Sequence, residues 1–178
     1  MKNIFSIILL LVVSMTLAAQ TNCYFKPDKE RILRNKNLNY FLNNTRDSFK
    51  ISYEVKDIPG YIREQINCLM DDTLLANPNE AYASGCVIYE GVPRRQLVFH
   101  AINSSNFIIV YHHGGFVLST RALFMRFTNT KLVDVWVGGV DYEIKNTKEL
   151  VDYIRKQQKA MMDIGYENTY DEREDISF

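Results

Sequence analysis

The sequence predicts an α+β domain in which an antiparallel meander sheet of four or five strands packs against a C-terminal helix and one or two N-terminal helices. Two observations carry most of that reading. Between residues 96 and 137, runs rich in Val, Ile, Phe and Tyr alternate with short polar turns, the pattern of consecutive hairpins. Behind them, residues 146–161 place apolar side chains at helical spacing after a strong start signal.

The elements follow in chain order. From residue 27 to 43, Ile32, Leu33, Tyr40 and Phe41 fall on one helical face, the stem of Lys36 covers the gap between them, and Pro27 suits a first turn. Phe49, Ile51, Tyr53 and Val55 alternate with Ser48, Lys50, Ser52 and Glu54, the period of a strand with one wet face. After Pro59-Gly60, residues 61–70 return to helical spacing through Ile62, Ile66, Leu69 and Met70. Residues 76–85 have the composition of a loop.

Strands are expected over 96–102 and 107–113 with a turn at Asn103-Ser104-Ser105-Asn106, over 116–127, and over 132–137 after a turn at 128–131. Residues 140–144 read as a short edge strand. Asn146 sits three residues before Glu149, the spacing of a reciprocal cap. Leu150, Val151, Ile154, Gln158 and Met161 trace the inner stripe of the helix that follows.

The ends of the chain read differently from its middle. Lys2, the apolar run from Ile4 to Val13 and the small residues up to Ala19 have the order of a secretory leader, which makes residues 1–19 a signal peptide and 20–162 a single domain. A retained anchor is the competing reading, because a short apolar helix can tilt or thin a bilayer. Residues 20–22 do not form a lipoprotein box before Cys23. Residues 163–178, with Glu167, Asp171, Glu172, Glu174 and Asp175 against Arg173, read as a flexible acidic tail. Asp72-Thr73-Leu74 resembles the O-glycosylation acceptor of exported proteins in some Gram-negative bacteria, and with the Ala19-Gln20 junction it points to a bacterial periplasmic or extracellular protein.

Charge and cysteine usage narrow the function. The chain has 21 basic and 21 acidic residues, and no clustered basic field that would recognise nucleic acid or an anionic membrane. No integral anchor is expected after leader cleavage. Cys23, Cys68 and Cys86 all lie in the exported part. In an oxidising compartment an odd count leaves at least one thiol free or paired with another chain. Cys68 with Cys86 is the expected bridge, joining a helix to the region after it through a short loop. The alternative is three reduced, buried thiols.

The local chemistry centres on His100 and on Tyr111-His112-His113-Gly114-Gly115. With Ser104-Ser105 as a two-residue turn, His100 opposes Ile109, Val98 opposes Tyr111 and Gln96 opposes His113. His100, Tyr111 and His113 then share one face, while Leu97, Phe99, Ile108, Val110 and His112 share the other, core-facing one. Two ladder steps still separate His100 from His113, too far for joint zinc ligation at bond lengths of about 2.0–2.3 Å. On this reading they are partly exposed strand histidines.

Gly114-Gly115 suits a tight hairpin with positive dihedrals, or a point where a ligand approaches the backbone. Arg94 and Arg95 form a candidate fork for a carboxylate or phosphate, against the plainer role of an internal ion pair. No serine-hydrolase, zinc, phosphate-loop or other cofactor motif is present.

These features leave three classes of function. The first is a non-catalytic exported protein that binds a protein or small ligand through the sheet face or the Gly-Gly edge. The second is an enzyme using the His100, Tyr111 and His113 face, with or without a metal. The third is a structural envelope component assembled through its acidic tail and free cysteine.

Overall fold

The computed structural model describes residues 23–45, 48–70, 74–87 and 89–163. The leader, the acidic tail from residue 164 onward and the Asp72-Thr73 part of the glycosylation-like tripeptide lie outside the described residues. Helices α1 (Lys29–Leu33) and α2 (Leu38–Asn44) come first, then strand β1 (Lys50–Ser52), a 3₁₀ turn at Val55–Asp57 and helix α3 (Gly60–Leu69). Strands β2 (Leu75–Ala76), β3 (Arg95–Ile102), β4 (Asn106–His113), β5 (Ser119–Thr128) and β6 (Lys131–Val140) follow, and α4 (Thr147–Asp163) comes last. The sheet order is β1-β3-β4-β5-β6, antiparallel throughout, with the two-residue β2 pairing parallel to β3. The expected meander is therefore β3 to β6, widened to six strands by two short pieces.

Both faces of this sheet are covered. Residues paired across strands share a face, and the register puts Leu97, His100, Phe107, Ile109, Tyr111, Leu123 and Met125 on one side. On that side Tyr61 of α3 meets Phe127 edge-on at 5.3 Å, and His100 reaches the Glu54 carbonyl at 3.1 Å. Phe99, Ala101, Ile108, Val110, His112, Ala122 and Phe124 occupy the other side. There Phe41 of α2 packs on Phe124 at 5.7 Å, and Arg155 of α4 donates to the Leu42 carbonyl at 3.1 Å. Central strand β4 is accordingly buried along all but its last residue, and its near-continuous apolar run is that of a strand covered on both sides.

Two tertiary contacts break patterns that the sequence suggests. The helix expected over 27–43 is interrupted at 34–37, where Asn35 adopts φ 53° and accepts the Trp136 indole N–H at 2.8 Å. Asn37, next to it, is buried and donates both to Asp134 Oδ1 (2.9 Å) and to the Val135 carbonyl (2.7 Å). The buried Asp134 also receives Arg31 at 3.1 Å and lies 3.6 Å from Arg126, its partner across the β5–β6 ladder, so one amide and two guanidinium groups surround one carboxylate. The second is a bulge in β3. The partners run from Ile102↔Phe107 to Phe99↔Val110 and then shift, so that Leu97 rather than Val98 faces Tyr111 and Arg95 rather than Gln96 faces His113.

The start of α4 behaves as expected: Asn146 Oδ1 accepts from Glu149 N–H at 3.0 Å, and Glu149 accepts from Lys145 N–H at 2.8 Å and from the Asn146 amide at 2.6 Å. The edge strand expected at 140–144 does not form; β6 runs through Gly138-Gly139 to Val140 and ends in a turn. The expected Cys68–Cys86 bridge is also absent. Cys68, in the last turn of α3, is bonded to Cys23, and Cys86 is a free, exposed thiol. The reason is that the chain ahead of α1 returns to α3: Phe25 packs against the core and the Tyr24 hydroxyl accepts from Leu132 N–H at 3.0 Å. Among the described residues no helix is long and apolar enough to cross a membrane.

Candidate functional site

The histidines are more buried than a partly wet strand predicts. His100 is 1% exposed; its Nε2 donates to the Glu54 carbonyl, its Nδ1 is buried without a hydrogen-bond partner, and its ring lies 5.5 Å from Phe107. Burial pushes its pKa below the usual value, partly opposed by the Glu54 carbonyl and the charge of Asp57. His112 is on the opposite face, stacked on Tyr142 at 4.2 Å with Nδ1 3.0 Å from Thr120 Oγ1, and burial pushes its pKa down as well. His113 is half-buried and pairs with Arg95 across the ladder. His100 pairs with Ile109, four residues from His113, which puts the two rings about 13 Å apart along the strand. Among the described residues no group of three or more His, Cys, Asp or Glu side chains could hold a metal ion.

Arg95, Tyr111, His113 and Arg121 do converge on one face, because the bulge at Val98 brings Arg95 into register with His113 and β5 places Arg121 opposite Tyr111. Tyr111 is fully buried, and that burial raises its phenol to about 12. Arg121 and Arg95 are close enough to oppose part of the rise, although the hydroxyl has no hydrogen-bond partner of good geometry. This is a cationic lining around a phenol with no exposed surface.

Gly114 and Gly115 are not a positive-dihedral hairpin; among the described glycines only Gly91 has positive φ. Gly114 is required by close approach instead. Its N–H donates to the Arg94 carbonyl at 2.9 Å, and a Cβ there would sit 2.8 Å from Ser84 Cα and inside the shell of the Ala83 carbonyl oxygen. Gly115 N–H bonds to the Ser84 carbonyl at 3.3 Å, and Arg94 reaches the Gly114 carbonyl at 3.5 Å. The approaching backbone is thus the protein's own 83–84 segment.

Clamping the glycines in this way sets up the most exposed apolar feature of the described residues. Directly after them Phe116 is 99% exposed and Val117 78%, with Leu118 completing an apolar tip between β4 and β5. Val87 and Tyr89, in the loop whose Ala83 and Ser84 grip the glycines, are also largely exposed, as is Tyr142 beyond β6. Composition gave no warning of the tip, since 116–118 reads as the start of a strand; a Gly-Gly pair ahead of three apolar residues was the available signal.

A second feature escaped sequence reasoning. At the other end of β5, Tyr24, Tyr61, Glu64, Gln65, Thr130 and Lys131 line a cleft of about 420 Å³. Neither feature includes a residue singled out from the sequence as catalytic. No known protein family, curated protein or solved structure matches this chain.

Proposed function

We propose that the chain is an exported, non-catalytic binding module that seats its β4–β5 tip in an apolar pocket of a partner protein. The observation that carries this is the exposure of Phe116 and Val117 directly after two glycines whose backbone N–H groups are bonded to the Arg94 and Ser84 carbonyls. Soluble surfaces seldom display contiguous large apolar side chains without a partner. A bulky aromatic presented on a pre-ordered loop loses little conformational freedom on docking.

A protein partner is favoured over an anionic bilayer because the charges near the tip have both signs: Arg94 reaches the Gly114 carbonyl, and Asp141 follows Val140, which pairs with Thr120 at the tip end of β5. The leader-like start of the chain and the Cys23–Cys68 bridge both fit an oxidising compartment outside the cytoplasm.

The test places a photo-crosslinking residue at position 117, or at Lys156 as control, in cells that make the protein. The expected result is one adduct of defined mass, formed only from position 117 and suppressed by excess purified protein but not by the Phe116→Ser/Val117→Ser variant. Equal labelling from both positions, or labelling of lipid alone, would refute the proposal.

A further inference from the structure

We infer that the partner that seats the tip also adds an extended strand to the open half of the β6 edge, which rests on the tip's being a docking element. β6 is the last strand of the sheet, with β5 on one side and no strand on the other. Along an antiparallel strand the backbone groups of alternate residues point away from the neighbouring strand. Val135 identifies which they are. Its carbonyl accepts from the Asn37 amide at 2.7 Å and its N–H donates to Asp134 Oδ1 at 3.0 Å, so both turn away from β5. The register then runs without a shift from Arg126↔Asp134 to Thr120↔Val140, and Val137 and Gly139 point the same way.

One half of this edge is closed and the other is open. Tyr24 takes the Leu132 N–H, while Asn37 and Asp134 take the groups of Val135. Among the described residues, none hydrogen-bonds the outward N–H or carbonyl of Val137 or Gly139. An unpaired edge ordinarily carries a charge, a proline or a bulge against unwanted pairing. Val137-Gly138-Gly139-Val140 has neither charge nor proline, and the register shift of this strand pair lies at its far end, between Arg126 and Phe127.

The two glycines differ in what they serve. Gly138 has an internal reason, since a Cβ there would collide with the Trp136 ring. Gly139 has none: it is exposed, its φ is not positive, and a Cβ would meet nothing within 4 Å. A strand glycine without an internal role marks a place where another backbone approaches.

The occupant is a segment of the partner and not a second copy. A two-fold pairing of two β6 strands through Val137 and Gly139 sets residue 141 of each copy against Val135 of the other, where Asn37 already holds the edge. A segment free at both ends meets no such obstacle. The open half lies at the same end as the tip, because Val140 pairs with Thr120, just beyond Leu118. Past it stand the exposed acidic residues Asp141 and Glu143. In antiparallel pairing these meet the start of the incoming strand, so the fitting segment is extended, apolar where it pairs and basic at its N-terminal end.

The experiment places the photo-crosslinking residue at position 117 or at position 139 in cells that make the protein, and compares amide exchange in the purified adduct and in the free protein. In the free protein Val137 and Gly139 should exchange much faster than Trp136 and Gly138, whose N–H groups point to β5. In the position-117 adduct both should slow at least tenfold, and position 139 should capture the same partner. Gly139→Pro removes the outward N–H without touching the β5 ladder and should cut labelling from position 117 at least tenfold. The exchange measurement needs no substitution in β6, so it decides the matter even if that variant folds poorly. A position-117 adduct with unchanged exchange at Val137 and Gly139 would overturn the added strand and leave the tip proposal intact. Labelling from position 139 alone, with slowed exchange, would support the strand and remove the tip. Slowed exchange in the concentrated purified protein by itself would assign the edge to a second copy and overturn the inference, and no adduct from either position would overturn both proposals.

Discussion

Replacing Cys23 and Cys68 together by alanine removes a crosslink that spans 45 residues of chain. On the loop-entropy model, a closed loop of that length restricts the unfolded chain by about 13 cal/mol/K, or about 4 kcal/mol at 25 °C. Part of the constraint survives in the folded state without the bond, since Tyr24 still bonds Leu132 N–H and Phe25 still packs on the core. The crosslink therefore acts chiefly by limiting the unfolded ensemble, and a loss of about 3–4 kcal/mol is expected. Urea unfolding followed by the fluorescence of Trp136, the single and buried tryptophan, reads it directly. With a denaturant dependence of about 2 kcal/mol/M, the midpoint should fall by about 1.5–2 M. Reduced wild-type protein should match the double variant, and Cys86→Ser should stay within about 0.5 kcal/mol of wild type because that thiol is exposed and unbridged. A double variant as stable as wild type, or a non-reducing peptide map that joins Cys68 to Cys86, would refute the reasoning.

Two further outcomes follow from the same contacts. His100 and His112 are both held below the usual imidazole pKa by burial, so just below pH 6.5 the unfolded chain binds more protons than the folded one. Their contribution is complete above pH 6.5 and is lost as pH falls below it. The urea midpoint should drop between pH 7.5 and pH 5, and the drop should shrink in His112→Gln; a flat midpoint across that range would contradict the burial argument. Gly114→Ala forces a Cβ against the Ala83 and Ser84 backbone and should cost about 2–3 kcal/mol, whereas Gly115→Ala, whose Cβ would meet only the Arg94 side chain at 3.8 Å, should be neutral within about 0.5 kcal/mol in thermal unfolding.

The local patterns were legible where one element satisfies its own groups. The reciprocal cap of Asn146 and Glu149 is closed by residues three apart, so spacing alone locates it. The paired runs around Asn103–Asn106 similarly identify their hairpin, because a tight turn forces neighbouring strands together and places His100 opposite Ile109. Further along the same pair that logic failed: nothing in Leu97-Val98-Phe99 announces a bulge, and one extra residue moved Arg95 opposite His113 and sent Leu97 to the face of Tyr111. The tip was hidden for a related reason, since an apolar triplet reads the same whether it begins a strand or projects into solvent.

The amino-acid order by itself determined an α+β meander with a capped C-terminal helix, because period and capping are properties of adjacent residues. It also separated the histidines, since four strand positions cannot be closed by any turn. Only the tertiary structure decided which cysteines meet, why the first helix breaks at Asn35, and that the sheet is covered on both faces. Each of these depends on a contact between segments far apart in the chain, such as Trp136 with Asn35 or Cys23 with Cys68, and such contacts leave no periodic trace in the sequence. The tip at Phe116 and the cleft at Gln65 belong to the same class: one exists because a distant loop grips Gly114, the other because a disulfide draws Tyr24 onto α3.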